Sequence, residues 1–163
     1  MFPDDIALIA RQVVVAAAAR NLIIATAESC TGGLVAGALT AVAGSSAVVD
    51  RGFVTYSNAA KTSMLGVPAD LIGTHGAVSE SVARAMAIGA VDRSDATVSV
   101  SITGIAGPSG GSEDKPVGLV HFAACGPDGV IHAEHRYGDI GRDGVRLASI
   151  RTALEILLHR IKA

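Results

Sequence analysis

The sequence has few aromatic residues and few cysteines, and each shortage excludes a class of function. Aromatic residues make up 3% of the 163 residues, and tryptophan is absent. Proteins that bind single-stranded nucleic acid stack bases on aromatic side chains, so we expect no stacking platform here. The two cysteines, Cys30 and Cys125, form no metal-ligand pattern. We expect free thiols rather than a disulfide, as in a reducing compartment.

Excess positive charge and long apolar runs are also missing. The formal net charge is -2 and the pI is near 6.2, which provides no electrostatic basis for nucleic-acid binding. Hydrophobic residues account for 50% of the chain, yet no uninterrupted run approaches the ~20 residues that cross a bilayer. The first residues, Met-Phe-Pro-Asp-Asp, lack the basic segment of a signal peptide. We therefore expect a cytoplasmic protein with no membrane or nucleic-acid partner.

Apolar runs that alternate with amphipathic segments predict an α/β fold. The predicted strands are 22–26, 48–56, 97–103, 117–124 and 130–137. The last two are joined by residues 126–129, a connection so short that it allows only an antiparallel hairpin. The predicted helices include 2–20, 31–42, short helices from Asn58 and near Asp70, one beginning after Ser79, and a final one over 147–161. The pattern predicts one three-layer α/β/α domain over 1–163, with a mostly parallel sheet of about five strands.

The densest group of reactive side chains follows the first predicted strand. Residues 28–33 read Glu-Ser-Cys-Thr-Gly-Gly, where a strand should turn into a helix. Such turns lie at the carboxyl edge of the sheet, where α/β proteins bind ligands. Ser29, Cys30 and Thr31 are therefore candidate nucleophiles. Ser29 and Thr31 would serve equally well as helix caps, and Cys30 is more typical of a small buried residue than of a nucleophile.

Three further segments follow predicted strands and would share this edge. They are 56–61, 103–111 and 138–142. The glycine-rich loop in the second segment offers backbone N–H groups to an anion, and Arg142 in the third offers guanidinium donors to phosphate or carboxylate. The loop could equally be a flexible surface segment, and Arg142 could equally bind a carboxylate within the fold.

A base for a serine nucleophile is available in the first of these segments. A lysine can accept the serine proton if burial lowers its pKa, and a tyrosine hydroxyl can relay that proton. Ser29, Tyr56 and Lys61 therefore make a chemically sensible set. Spacing alone does not establish it, because Lys61 by itself is more typical of a solvated helix residue.

Six motifs in a fixed order resemble one family. They are Ala-Glu-Ser-Cys-Thr-Gly-Gly (27–33), Gly-Ser-Ser (44–46), Val-Thr-Tyr-Ser-Asn with the following Lys (54–61), His-Gly-Ala-Val-Ser (75–79), Thr-Gly-Ile-Ala-Gly-Pro (103–108) and Lys-Pro-Val-Gly (115–118). Together they cover nearly the whole chain and closely resemble the CinA C-terminal domain family. Its stand-alone members are the PncC-type nicotinamide-nucleotide amidohydrolases, or NMN deamidases. We expect no larger amino-terminal domain such as longer CinA proteins carry.

The resemblance implies an activity. It is hydrolysis of the carboxamide of nicotinamide mononucleotide (NMN) to nicotinate mononucleotide and ammonia, as in pyridine nucleotide recycling. By position, Ser29 would be the nucleophile, Lys61 the base and Tyr56 an assisting group. The resemblance implies no metal or organic cofactor, and it implies a homodimer.

Further residues are implied to contact the substrate. We predict the oxyanion site at the backbone N–H groups around Thr31, Gly32 and Gly33, because preorganised donors there would stabilise the developing charge. Ser46, Thr103, Gly104 and Arg142 would hold the nucleotide, with Arg142 on its phosphate. The family's Gly-Asp-Arg element reads Gly-Asp-Ile-Gly-Arg here (138–142), a difference of two residues just before Arg142.

Two alternatives stay open from the sequence. The same loops and Arg142 would suit a nucleotide-binding or regulatory CinA-like module without turnover. Cys30 could also replace Ser29 as the nucleophile of a thiol-dependent amidase. Release of ammonia from NMN would argue against the module without turnover. Protection of a thiol by substrate would favour the Cys30-dependent amidase.

Overall fold

Five strands form one mixed sheet through the centre of the protein. The computed structural model describes residues 1–163. The strands are β1 (Ile24–Glu28), β2 (Val49–Val54), β3 (Val98–Gly104), β4 (Leu119–Gly126) and β5 (Gly129–Arg136). Their order across the sheet is β2-β1-β3-β4-β5. Strands β1 to β3 are parallel, whereas β4 is antiparallel to both of its neighbours. The predicted fold class and the C-terminal hairpin are confirmed.

Helices cover both faces of this sheet. They are α1 (Asp4–Ala19), α2 (Leu34–Thr40), α3 (Asn58–Leu65), α4 (Ala69–His75), α5 (Glu80–Asp92) and α6 (Arg142–Lys162). Helices α1, α2 and α6 enclose the larger apolar core on one face, and α3, α4 and α5 enclose a smaller one on the other. None of these helices is both long and apolar enough to span a membrane.

The first strand ends later than the sequence predicts, and the helix after it begins later. Glu28 pairs with Val54 of β2 and with Ile102 of β3, so β1 continues to this residue. Gly32 and Gly33 have φ of 61° and 95°, a left-handed conformation that glycine tolerates and that an α-helix excludes. Residues 29–33 therefore form an irregular turn, and α2 begins only at Leu34.

The alternating pattern of β3 brings α5 close to the sheet. Val98, Val100 and Ile102 pack in the larger core. On the opposite face, the hydroxyl of Ser99 donates to the carbonyl of Ala87 at 2.7 Å, and that of Ser101 donates to the carbonyl of Ala83 at 2.6 Å. These small polar residues are buried with their hydrogen bonds satisfied, which allows a helix backbone to lie directly on the strand.

The strand directions decide which loops meet. Because β1, β2 and β3 are parallel and β5 runs in the same direction as β3, their carboxyl ends share one edge of the sheet. The segments that follow them are 29–33, 55–57, 105–118 and 137–141. This catalytic edge, as we call it below, carries the predicted nucleophiles.

Candidate active site

Ser29 is the first residue of the turn after β1, and hydrogen bonds hold both its N–H and its carbonyl. Its N–H donates to the carbonyl of Ile102 at 3.0 Å, and its own carbonyl accepts from the N–H of Gly32 at 3.0 Å. The residue is only 9% exposed. Its hydroxyl lies 3.0 Å from Nζ of Lys61.

Lys61 reaches the serine from the first turns of α3. The helix begins after Ser57, whose hydroxyl accepts the N–H of Ala60 and so caps the helix. Lys61 follows four residues later and extends back to the catalytic edge, where Nζ donates to the carbonyl of Thr55 at 2.9 Å. The side chain is 1% exposed, so the interpretation as a solvated helix residue is wrong.

No carboxylate pairs with Lys61. Its amine is absent from the ion pairs of the protein, and burial lowers its pKa from the usual 10.5. A neutral amine still has two hydrogens and a lone pair. With one hydrogen on Thr55, the lone pair can accept the hydroxyl proton of Ser29.

Glu28 is fully buried and is used within the turn. Its carboxylate accepts from the hydroxyl groups of Thr26 and Thr31 at 3.1 and 2.7 Å. It also accepts from three backbone N–H groups at the beginning of α2, those of Gly33, Val35 and Ala36. Five donors occupy the acceptor capacity of this carboxylate. Glu28 therefore caps α2, and neither Ser29 nor Thr31 does.

The free backbone donors of the turn differ from the expected set. The N–H of Gly32 donates to Ser29 and that of Gly33 to Glu28. The N–H groups of Cys30 and Thr31 make no hydrogen bond within the chain, although both residues are almost completely buried. This corrects the expected oxyanion site at Thr31 to Gly33: within the turn, the unused donors belong to Cys30 and Thr31.

Cys30 is a poor candidate for the nucleophile. Its side chain packs in the larger apolar core, and burial raises the pKa of its thiol to about 12, with the nearby Glu28 charge adding to the effect. The attacking form of cysteine is the thiolate. The environment of Cys30 keeps the thiol protonated and disfavours the Cys30-dependent alternative.

Tyr56 and Arg142 meet at the mouth of the site. The guanidinium of Arg142, the first residue of α6, donates to the Tyr56 hydroxyl at 3.0 Å and to the carbonyl of Gly107 at 2.9 Å. Both side chains are exposed. Tyr56 forms no hydrogen bond with Ser29 or Lys61. The longer segment before Arg142 still delivers this arginine to the catalytic edge.

Thr103 and Gly104 serve the scaffold in this structure. Thr103 is 1% exposed, and its hydroxyl donates to the carbonyl of Ala77 at 2.9 Å. A Cβ at Gly104 would lie 2.7 Å from Cγ2 of Val120 and 2.9 Å from the carbonyl oxygen of Leu119. The lack of a side chain at Gly104 therefore lets β3 and β4 approach each other.

Ser46 does not lie at the catalytic edge. It is exposed in a short 3-10 turn, Ser45–Ala47, just before β2. Val49 pairs with Ile24 at the beginning of β1, whereas Ser29 follows the end of that strand. Five residues of strand separate the two ends by roughly 15 Å or more. This corrects the expectation that Ser46 and Ser29 contact the same substrate molecule within one chain.

Arg146 also lies at the candidate site, and the sequence did not lead us to predict it. Its Nε donates to the carbonyl of Cys30 at 3.2 Å and its Nη2 to that of Thr31 at 3.4 Å. The available signal was its position four residues after Arg142, on the same face of a predicted helix. Its contacts link the C-terminal helix directly to the nucleophile turn.

Comparison with known proteins identifies relatives over almost the whole chain. A model of the CinA C-terminal domain matches residues 7–161. The nicotinamide-nucleotide amidohydrolase PncC of Escherichia coli (strain K12) is 49% identical, and the match covers 96% of this chain and 95% of that protein. A CinA-like protein of Anaeromyxobacter sp. (strain K) is 56% identical over 89% of this chain, which is 35% of that protein. The chain thus spans about a third of the length of the longer CinA-like relatives.

Solved structures agree with this assignment. The competence/damage inducible protein CihA from Agrobacterium tumefaciens superposes with a TM-score of 0.97 at 57% identity, covering 100% of this chain and 99% of that one. A CinA superfamily protein from Escherichia coli superposes with a TM-score of 0.92 at 36% identity, covering 98% and 94%. The sequence match and the shared architecture give the same answer: this chain belongs to the CinA C-terminal domain family.

Proposed function

We propose that this protein is an amidohydrolase that converts NMN and water to nicotinate mononucleotide and ammonia, with Ser29 as nucleophile and Lys61 as base. The observation that carries the proposal is the 3.0 Å contact between Ser29 Oγ and a buried Lys61 Nζ without a carboxylate partner. The near full-length similarity to PncC, named for this activity, supports the substrate.

The first half of the reaction forms an acyl-enzyme. Lys61 takes the hydroxyl proton of Ser29, and Oγ attacks the carboxamide carbon of NMN. The resulting oxyanion accepts hydrogen bonds from the N–H groups of Cys30 and Thr31, the donors that lack an internal partner. Lys61 then gives its proton to the amide nitrogen as the C–N bond breaks, and ammonia leaves.

The second half returns the enzyme to its starting state. Water attacks the ester that joins Ser29 to the nicotinoyl group, and Lys61 accepts a proton from this water. The C–O bond to Ser29 breaks, Oγ regains a proton from Lys61, and nicotinate mononucleotide is released. The protons balance over one cycle, and no group outside the chain is consumed except water.

Arg142 and Tyr56 are proposed to bind the nucleotide portion. Arg142 is exposed at the mouth of the site and retains donors beyond those on Tyr56 and Gly107. A phosphate could accept these donors in the bidentate manner typical of arginine. Tyr56, held by Arg142, would contact the same ligand and help to exclude water from Ser29.

Incubation of the purified protein with NMN, with ammonia and nicotinate mononucleotide measured together, tests the proposal. We expect equimolar products from the wild-type protein. Ser29→Ala should lose at least about 1000-fold in kcat with the fold intact, whereas Cys30→Ala should retain most of the activity. Full activity of Ser29→Ala would contradict the assigned nucleophile. NMN binding without ammonia in the wild-type protein would instead favour a nucleotide-binding module.

A further inference from the structure

We propose that Arg146 is a positioning residue, which orients the N–H of Thr31 toward the oxyanion. Two side-chain contacts carry the inference, from Nε to the carbonyl of Cys30 and from Nη2 to the carbonyl of Thr31. Arg146 has no carboxylate partner among the ion pairs of the protein. This inference rests on the proposed acyl transfer at Ser29.

A contact that holds the carbonyl of one residue also orients the N–H of the next residue. The carbonyl of one residue and the N–H of the next lie in one rigid plane and point in opposite directions. By holding the Cys30 carbonyl, Arg146 fixes the plane that carries the Thr31 N–H and directs that N–H away from its own guanidinium. The neighbouring plane, which carries the Cys30 N–H, is fixed by the bond between Gly32 and Ser29.

Both of these N–H groups are buried and unpaired. Cys30 is 6% exposed and Thr31 is 0% exposed, and neither N–H has an acceptor in the chain. Buried backbone donors without a partner are rare because each costs about as much as a lost hydrogen bond. Such donors, held in a set direction, are the arrangement that stabilises an oxyanion without reorganisation during the reaction.

The peptide between Cys30 and Thr31 needs a restraint of its own, because the contacts of Glu28 do not hold it. Glu28 accepts the hydroxyl of Thr31 and three N–H groups from Gly33 onward. The Thr31 carbonyl accepts the N–H of Leu34 at 3.2 Å, whereas the Cys30 carbonyl accepts no backbone N–H. Gly32, which follows them, has φ of 61°. Glycine at this position lowers the cost of turning the peptide planes. Arg146 supplies this restraint from α6 through its hydrogen bond to the Cys30 carbonyl.

Variants at Arg146 test the inference. Arg146→Ala should lower kcat for NMN about 10- to 100-fold with KM changed less than about threefold, because substrate binding is kept and oxyanion stabilisation is weakened. Arg146→Lys should recover only part of kcat, since an ammonium cannot hold both carbonyls in a planar fork. Millimolar guanidinium chloride should restore activity to Arg146→Ala and not change its melting temperature. The matched control is Arg151→Ala on the same helix, where Arg151 pairs with Asp5 at the surface; it should behave as wild type.

A second readout separates this inference from the substrate assignment. A small fluorophosphonate phosphonylates an activated serine and places an oxygen in the oxyanion site without needing NMN. Slower labelling of Ser29 in Arg146→Ala than in Arg151→Ala would support Arg146 even if the wild-type protein released no ammonia from NMN. Equal labelling rates, or a kcat for Arg146→Ala equal to wild type, would overturn the inference. Absence of labelling in the wild-type protein would contradict both the inference and the acyl transfer.

Discussion

At the scale of single residues, burial decides the chemistry of the turn. Lys61 and Cys30 are neighbours of Ser29, and burial favours the neutral form of each. For Lys61 this lowers the pKa, as the proposed role of base requires. For Cys30 it raises the pKa to about 12 and removes a nucleophile. The same desolvation therefore supports the proposal of Ser29, rather than Cys30, as the nucleophile.

A pH profile of the activity follows from the state of Lys61. Because the neutral amine is the proposed base and burial lowers its pKa from 10.5, kcat/KM should rise with pH and level off above a pKa clearly lower than that value. The measurement is kcat/KM for NMN from about pH 6 to about pH 10, with the folded fraction followed by circular dichroism as control. An inflection at the ordinary lysine value, or a flat profile, would show that Lys61 does not act as the base.

Glu28 shows that a carboxylate beside a candidate nucleophile can have a structural role. A carboxylate next to a candidate nucleophile suggests acid-base chemistry, yet five donors surround this one. Its charge is used to satisfy the N–H groups that the first turn of α2 leaves unpaired. The acceptor that completes the cap comes from the strand, which explains why α2 lacks a cap of its own at Gly33.

At the scale of secondary-structure elements, two glycines in helices should respond oppositely to alanine. A Cβ at Gly89 in α5 would lie 2.0 Å from the carbonyl oxygen of Leu65, whereas a Cβ at Gly73 in α4 would have nothing within 4 Å. Gly89→Ala should destabilise the protein by about 2 kcal/mol or more, because α3 and α5 must separate. Gly73→Ala should stabilise it by up to about 1 kcal/mol through helix propensity. Urea unfolding of both variants checks the pair; equal effects would mean that α3 and α5 do not pack this closely.

The hairpin of β4 and β5 contains a histidine pair that should make stability depend on pH. His121 Nδ1 and His132 Nε2 lie 2.9 Å apart, and one ring must be neutral to accept from the other. Burial lowers the pKa of both rings below the usual 6.5. Glu134 and Glu80 partly oppose this, while Arg84 and Lys115 add to it.

The sign of the effect follows from proton linkage. The unfolded chain binds protons at these histidines near pH 6.5, but the folded chain does so only at lower pH. Their contribution is therefore present above pH 6.5 and is lost as the pH falls through the folded pKa values. The free energy of unfolding in urea should decrease on acidification, and less so in His132→Gln. An unchanged pH dependence in His132→Gln, compared with His159→Gln at the exposed end of α6, would contradict the assignment.

At the scale of the whole molecule, we predict a homodimer. Several large apolar side chains are exposed, among them Val54, Tyr56, Ile140 and Leu147 near the catalytic edge. Exposed apolar side chains that group together favour association. Sedimentation equilibrium should give a mass about twice the 16.3 kDa of one chain. A single species of 16.3 kDa at concentrations where NMN is hydrolysed would contradict the prediction.

The sequence by itself determined the fold class and the elements. Apolar residues recur at every second position in a strand and at every third or fourth position in a helix, because of how each element presents its faces. Segments β3, the hairpin and α6 could therefore be predicted from local sequence. Ser29, Lys61 and Arg142 could be named in advance because each follows a strand at the same edge. The resemblance to the CinA C-terminal domain family was visible in the same way, from short motifs in order.

Only the tertiary structure decided which of these groups act on one another. Whether Lys61 is buried, whether Glu28 is occupied and whether Ser46 lies at the far end of β1 depend on contacts between residues distant in the chain. Arg146 lies 116 residues from Cys30, and no local pattern indicates that its guanidinium ends on that carbonyl. Hydrogen bonds and desolvation depend on distances of a few ångströms, which are set by the packing of α3 and α6 against the sheet and not by the sequence around either partner.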